Sequence, residues 1–221
     1  MINRKIIFTM CIAFITLCFS CATPKISESE NYIYDLDYNT ELKNIPVMSQ
    51  KTGFTCYAVS MAIVTTHLGF PTTEHELLSG LNLLTRTKGM IPNEYFSYFN
   101  KLLKPLEYSV LLLNPKSETE LLNNIIHSLE NELPVVFFYS AKDDWNNKIY
   151  NTHYSVVYGI NTKNKTVKIS NPYGYLEELS FDELFNGLNF KSYESEPFTF
   201  WLGRKTGIIK QNNLFILEKT M

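Results

Sequence analysis

The segment from Cys56 to Leu68 constrains the fold more strongly than any other part of the 221-residue sequence. Apolar residues lie all round its helical projection, and its polar positions are few: Ser60, Thr65, Thr66 and His67. A helix of this kind must be covered on every side, so the segment predicts a buried central helix. Thr55 is suited to cap its N-terminus, and Gly69 and Pro71 are typical of a helix end.

The rest of the first half is predicted to be mainly helical, after an extended lead-in at residues 41–50. Thr73 and Glu76 have the spacing of a capping box, and they precede the apolar positions of a second helix: Leu77, Leu78, Leu81 and Leu84. Apolar residues at helical spacing predict further helices at 93–103 and up to Glu130, the latter capped by Ser117. A strand is expected between them, at 108–113.

The pattern changes after Pro134 and predicts an antiparallel sheet. Residues 135–139 are a continuous apolar run rich in β-branched and aromatic side chains, as in a buried strand. Two further apolar segments, separated by a polar turn, predict a hairpin, and Asn171-Pro172-Tyr173-Gly174 ends it. The hairpin strands are placed at 153–160 and 166–170, a short helix at 180–185, and closing strands at 198–202 and 213–217. The predicted class is α+β, with the helical part packed on the C-terminal sheet.

The N-terminus has the pattern of an export signal. Arg4 and Lys5 precede an uncharged apolar run at residues 6–19, which is shorter than the roughly 20 residues of a bilayer span. Ser20 before Cys21 resembles the lipobox of bacterial lipoproteins, although cysteine stands where leucine is usual, at position 18. An ordinary secretory signal with incidental cysteines is the alternative. We predict a signal peptide at 1–20, a tether at 21–40 and one domain at 41–221, held at the cell envelope by a lipid on Cys21.

Composition narrows the class of protein. Loss of Arg4 and Lys5 leaves 18 basic and 22 acidic residues, a net charge of −4, and no basic patch points to nucleic acid. The chain is 45% hydrophobic, enough for one domain with a sizeable core.

His67, His75 and His127 have no metal-ligand spacing, so neither metal nor cofactor is expected. The pairs Asp143-Asp144 and Glu177-Glu178 are expected to be solvated, and Trp145 either lines a cleft or packs. The oligomeric state stays open.

Cysteine usage isolates one thiol. Cys11 and Cys18 leave with the signal and Cys21 takes the lipid, so Cys56 stays as a free thiol in an exported protein. Intermolecular pairing and burial as a small apolar residue are the ordinary explanations. Its position at a helix N-terminus favours a reactive thiol instead, because the helix dipole is expected to lower its pKa.

Three other residues complete a catalytic constellation. His153 opens one hairpin strand and Asn171 ends its partner, so antiparallel pairing brings base and orienting amide together. Asn171 is expected to accept a hydrogen bond from the imidazole, which turns the other ring nitrogen to the sulfur. Gln50, upstream of Cys56, is suited to bind an oxyanion together with the Cys56 backbone N–H.

These residues stand in segments that resemble the C39-like branch of the papain-like peptidases: Ile45-Pro46-Val47, Gln50 through Cys56, Pro134-Val135-Val136, Thr152-His153-Tyr154, Val157-Tyr158-Gly159 and Asn171-Pro172-Tyr173-Gly174. The resemblance implies a papain-like fold, a Cys–His–Asp/Asn triad and an oxyanion glutamine. It departs from the family at Tyr57, where glycine is common, and at Asn171, where aspartate is common.

The sequence therefore predicts an extracytoplasmic cysteine hydrolase that acts on a peptide or amide substrate through an acyl-enzyme on Cys56. An acyl transferase, in which an amine resolves the thioester, is not distinguished by these residues. An inactive papain-like scaffold of the envelope is the alternative from another class. It stays open because the bulky Tyr57 ring stands next to the sulfur.

Overall fold

The computed structural model describes residues 37–142, 150–191 and 196–220. These residues belong to one compact unit. The predicted signal peptide, Cys21, residues 21–36 of the tether, and Asp143, Asp144 and Trp145 lie outside the described residues.

Helices and strands follow one another along the chain in a mixed order. The first half contains β1 (Asn39–Glu41), α1 (Cys56–His67), α2 (Glu74–Ser79), α3 (Leu83–Lys88), α4 (Pro92–Leu103), a 3₁₀ turn (Lys104–Leu106), β2 (Tyr108–Leu113) and α5 (Glu118–Glu130). The second half contains β3 (Val135–Lys142), β4 (Tyr150–Asn161), β5 (Thr166–Asn171), β6 (Tyr175–Ser180), α6 (Phe181–Leu188), α7 (Phe198–Lys205) and β7 (Asn213–Lys219). The α+β class is confirmed.

All strand pairs are antiparallel, and the main path of the sheet runs β2-β7-β3-β4-β5-β6. The short β1 pairs with the last residues of β4, from Asn39 opposite Asn161 to Glu41 opposite Gly159. The sheet thus begins at Asn39, inside the segment assigned to the tether.

The sheet separates two apolar cores, because successive side chains of a strand point to opposite faces. Phe138 and Tyr154 belong to the core that contains α1 and α4. Phe137 and Val157 are an odd number of residues away from Phe138 and Tyr154 on the same strands, so they point to the other face. They belong to the core that contains α5 and α6. Burial on both faces explains the unbroken apolar run at the start of β3. The helix that begins at Cys56 lies within the first core, as its all-round apolar pattern predicts.

Two of the three predicted helix caps are present in the structure, because each depends only on side chains close in sequence. Thr73 and Glu76 form the predicted capping box, and Ser117 caps α5 through the N–H of Glu120. Thr55, in contrast, does not cap α1 with its side chain. Its hydroxyl donates to the carbonyl of Thr52 at 3.3 Å instead, because the preceding loop folds back on itself.

Three elements differ from the prediction. Residues 198–202 are not a strand: α7 begins after Pro197, which supplies the fixed φ of a helix start, and Phe198 stacks on Trp201 one turn later. The strand β6 was missed because Asn171-Pro172-Tyr173-Gly174 was interpreted as an end, whereas it is the tight turn of a second hairpin. The separate short α3 differs from the prediction, which places Leu84 in the preceding helix; Asn82 caps a new helix there through the N–H of Thr85.

Within the described ranges, no helix combines the length and the apolar character that crossing a bilayer requires.

Candidate active site

Cys56 is the first residue of α1, and its side chain is 7% exposed. Backbone N–H groups of Tyr154 in β4 and of Tyr57 lie close enough to the sulfur to favour its ionised form. Tyr154 follows His153 in β4, so the backbone contact brings the sulfur to the strand segment that carries the predicted base. Two elements distant in sequence, the start of α1 and the first half of β4, therefore meet at the thiol.

The expected lowering of the thiol pKa is wrong for this arrangement. Burial raises the pKa of Cys56 to about 11, and the hydrogen bonds from the backbone N–H groups offset only part of that increase. Removal of the sulfur from water disfavours the thiolate more than the helix N-terminus stabilises it. The resting thiol is therefore neutral at physiological pH.

His153 and Asn171 meet as predicted. The Nε2 atom of His153 lies 3.0 Å from Oδ1 of Asn171 in a buried contact. Because an amide oxygen only accepts, Nε2 is the protonated nitrogen, and a neutral ring then has Nδ1 as its free base.

The amide of Asn171 is held in one orientation by its other partners. Its Oδ1 also accepts the backbone N–H of Tyr173 at 3.0 Å, and its Nδ2 donates to Oε2 of Glu177 at 2.9 Å and to the Tyr175 hydroxyl at 3.4 Å. A carboxylate cannot donate, so the nitrogen must face Glu177 and the oxygen must face His153. The tautomer of the imidazole thus depends on Glu177 and on the turn after β5.

Two residues around the histidine were not foreseen. Tyr173 stacks on the imidazole with ring centroids 4.5 Å apart and planes 12° apart, and Tyr139 approaches it edge-on from β3 at 6.0 Å. Gly174 allows the turn that positions Tyr173, since its φ is +100° and a Cβ there would lie 2.9 Å from Cβ of Ser49. In the sequence, only the turn residues Asn171-Pro172-Tyr173-Gly174 indicate that Tyr173 lies close to His153.

Gln50 lies against the same turn. Its backbone N–H donates to the carbonyl of Pro172 at 2.7 Å, and its buried side chain donates from Nε2 to the carbonyl of Thr52 at 2.8 Å. Its Oε1 is buried and meets no hydrogen-bond donor among the described residues. The structure places Gln50 between the loop before Cys56 and the Asn171 turn, with one Nε2 hydrogen not used by Thr52.

The Tyr57 ring does not stand in the mouth of the site. It is fully buried within the first core, and its hydroxyl donates to the carbonyl of Thr85 at 3.3 Å. Burial, with a smaller effect of Cys56, raises its pKa to about 12. The departure from glycine at this position therefore fills the core, and the Tyr57 ring does not line the cavity that borders Cys56.

Cys56 is one of the residues that line a cavity of about 140 Å³. Its lining mixes polar backbone groups with apolar side chains, and the latter come from several parts of the chain: Phe54, Met90, Ile91, Phe138, Tyr154, Phe200 and Ile209. Lys88 and Thr152 supply its polar edge. Phe54 is 53% exposed, so an apolar surface continues from the cavity to solvent.

The remaining histidines and acidic residues lie apart from this site or at its edge. In the described part of the chain, no three His, Cys, Asp or Glu side chains are placed to hold a metal ion. His67 contacts the carbonyl of Glu132 at 3.3 Å at the end of α1. Of the acidic pair in β6, Glu178 is exposed as expected, but Glu177 is half-buried on Asn171, so its expected solvation is wrong.

Comparison with known proteins identifies the family. The model of the Peptidase_C39 like family matches residues 42–193. The chain belongs to this family. No match is found among curated proteins.

Solved structures of C39-like proteins resemble the fold. A C39-like peptidase from Bacillus anthracis matches 84% of this chain and 100% of its own, with 15% identity and a TM-score of 0.55. The peptidase domain of Streptococcus ComA, a bifunctional ABC transporter of a quorum-sensing pathway, matches over 80% of this chain and 99% of its own, with 16% identity and a TM-score of 0.45. The family and the first likeness establish a C39-like fold of the cysteine-peptidase type.

The raised thiol pKa predicts a loss of stability in alkali. Unfolding exposes a thiol that ionises near 9, whereas the folded thiol ionises near 11. The folded state then binds more protons between these values, so its stability is retained below pH 9 and lost as pH rises to 11. A pKa difference of two units between the folded and unfolded thiol corresponds to a loss of about 3 kcal/mol in the free energy of unfolding. We expect the free energy of unfolding in urea to fall less between pH 9 and 11 in Cys56→Ala than in the unsubstituted chain. Equal losses would mean that the resting sulfur is already ionised.

Proposed function

We propose that the chain is an extracytoplasmic cysteine hydrolase that cleaves a peptide or amide bond through an acyl-enzyme on Cys56. One observation supports this more than any other: the buried His153–Asn171 hydrogen bond fixes Nε2 as the protonated nitrogen, beside the strand residue whose N–H contacts the sulfur. A neutral imidazole held in this tautomer presents a base at Nδ1. Gln50 and the Cys56 backbone N–H are the proposed donors to the oxyanion.

The neutral thiol determines the order of events. As the sulfur attacks the carbonyl carbon, its proton passes to Nδ1 of His153, and the carbonyl oxygen becomes an oxyanion. The C–N bond then breaks, and the imidazolium returns the proton to the leaving amine. Water attacks the thioester with His153 again as base, the C–S bond breaks, and the acid product leaves the restored thiol. An amine in place of water would make the same site a transferase.

Substitution of the proposed catalytic residues tests the hydrolase directly. With libraries of peptides and muropeptides, we expect products from the unsubstituted chain, none from Cys56→Ala, and a loss of about 10²- to 10⁴-fold for His153→Ala, because the base is removed. Mass spectrometry is expected to show an acyl adduct on Cys56 with slow substrates. Product patterns that are the same with and without Cys56 would contradict the proposal. Slow, histidine-independent labelling of the thiol would favour the inactive scaffold.

We also propose that the cavity beside Cys56 receives an apolar side chain next to the scissile bond, held by the apolar side chains of its lining. The cavity adjoins the sulfur, and an apolar cavity of about 150 Å³ is large enough for a benzene-sized group. A substrate side chain placed there would lose contact with water and gain contact with Phe54, Phe200 and Ile209.

Phe54→Ser tests this specificity without disturbing the core, because the residue is half exposed. We expect kcat/KM for substrates with a large apolar residue at this position to fall about 10-fold, with little change for substrates with alanine there. Phe70→Ser is the matched control, since Phe70 is 41% exposed and does not line the cavity. An equal loss for both substrates would contradict the assignment.

The proposed location depends on Cys21. A lipid on this residue would hold the domain at the membrane through the segment before β1. We expect the full chain expressed in a bacterium to partition into detergent and Cys21→Ser to partition into the aqueous phase, with Cys18→Ser unchanged as control. Mass spectrometry of the processed N-terminus then identifies the lipidated residue. Unchanged partition of Cys21→Ser would favour an ordinary secretory signal.

A further inference from the structure

The side chain of Asn171 connects His153 to Glu177 through hydrogen bonds at its two ends. On one side its Oδ1 lies 3.0 Å from Nε2 of His153, and on the other its Nδ2 lies 2.9 Å from Oε2 of Glu177. Glu177 is in β6, opposite Ile169 of β5, and Asn171 pairs with Tyr175 at the turn between these strands. The hairpin therefore places a half-buried carboxylate directly behind the residue that orients the imidazole.

We propose that Glu177 is a positioning residue that acts on His153 through the amide of Asn171 and supplies the negative charge for the imidazolium formed in the reaction. This inference rests on the proposed cysteine hydrolase. Its reason is the burial of His153: an imidazolium formed away from water needs a counter-charge, and the hydrogen bonds of Asn171 place the Glu177 carboxylate behind the ring. An amide alone provides a dipole, whereas an amide bonded to a carboxylate is polarised towards the ring.

Among the described residues, the other titratable groups that contact the imidazole do not supply this charge. They are the phenols of Tyr139 on β3 and of Tyr173 in the turn, together with the thiol at the start of α1. Burial raises the pKa of Tyr139 well above its ordinary value, and the charge of Glu177 contributes in the same direction. Tyr139 thus lies within electrostatic reach of the Glu177 carboxylate.

The same geometry accounts for an amide at position 171. An aspartate there would have a carboxylate oxygen where Nδ2 now stands, 2.9 Å from Oε2 of Glu177, and two carboxylates so close cannot both be ionised. The pair Asn171 and Glu177 provides one negative charge, which is separated from the imidazole by the Asn171 amide. Aspartate with a neutral residue at 177 would provide the same charge in direct contact with the ring.

Charge substitutions with the hydrogen bonds retained test the proposal. In Glu177→Gln the amide oxygen can still accept from Asn171, but the charge is gone. We expect the titration midpoint of the His153 Cε1 proton, followed by NMR, to fall by about half a pH unit or more. Asn171→Asp combined with Glu177→Gln is expected to return the midpoint to its original value or above it. Glu178→Gln, an exposed neighbour on β6, is the control and is expected to leave it unchanged.

Turnover gives the second measurement. We expect Glu177→Gln to lower kcat about three- to tenfold with KM unchanged, to shift the acid limb of kcat/KM to lower pH, and to be rescued by the added Asn171→Asp. A Glu177→Gln midpoint that equals the original, or a double variant that restores nothing, would overturn the inference. Because the NMR titration requires no turnover, an inactive chain with a shifted midpoint would reject the hydrolase and retain the Glu177 interaction.

Discussion

The amide of Asn171 is the contact on which the rest of the site depends. Its oxygen holds His153 and the turn N–H of Tyr173, and its nitrogen holds Glu177, so each end has a partner that allows only one orientation. This fixes the imidazole tautomer, which decides where the base nitrogen lies. The turn after β5 is braced in turn by Gln50, whose backbone donates to Pro172. The loop before Cys56 and the strand that carries His153 are therefore linked through one short turn.

Burial of the thiol determines the kind of chemistry that this geometry supports. A sulfur with a pKa of about 11 stays protonated at rest, despite its place at a helix N-terminus. In the proposed reaction, the histidine therefore acts as a general base during attack, as it does for a hydroxyl nucleophile, and the imidazolium requires stabilisation when it forms. The sequence argument that a neutral asparagine is sufficient assumed a charge already separated. The Glu177 carboxylate behind the asparagine supplies the charge that the proposed reaction requires instead.

Much of the architecture was predictable because its causes are local. The buried α1 follows from a pattern that no surface helix can have, the capping box of α2 from two side chains three residues apart, and β3 from an apolar run covered on both faces. The α7 helix was not predictable in this way. Its aromatic residues favour a strand by propensity, but Pro197 and the stacking of Phe198 on Trp201 favour a helix in the folded chain.

The sequence by itself determined the residue types at the site, the order in which they occur, and the elements that carry Cys56, His153 and Asn171, because these depend on periodicity and turn chemistry. Only the tertiary structure decided the direction of the thiol pKa, the buried position of Tyr57, and the contact between Asn171 and Glu177. The physical reason is that desolvation and long-range hydrogen bonds depend on what neighbouring elements remove from water. A sequence pattern records the residues that can be buried, but the packing of α1 against β4 and the pairing of β5 with β6 decide which charges they meet.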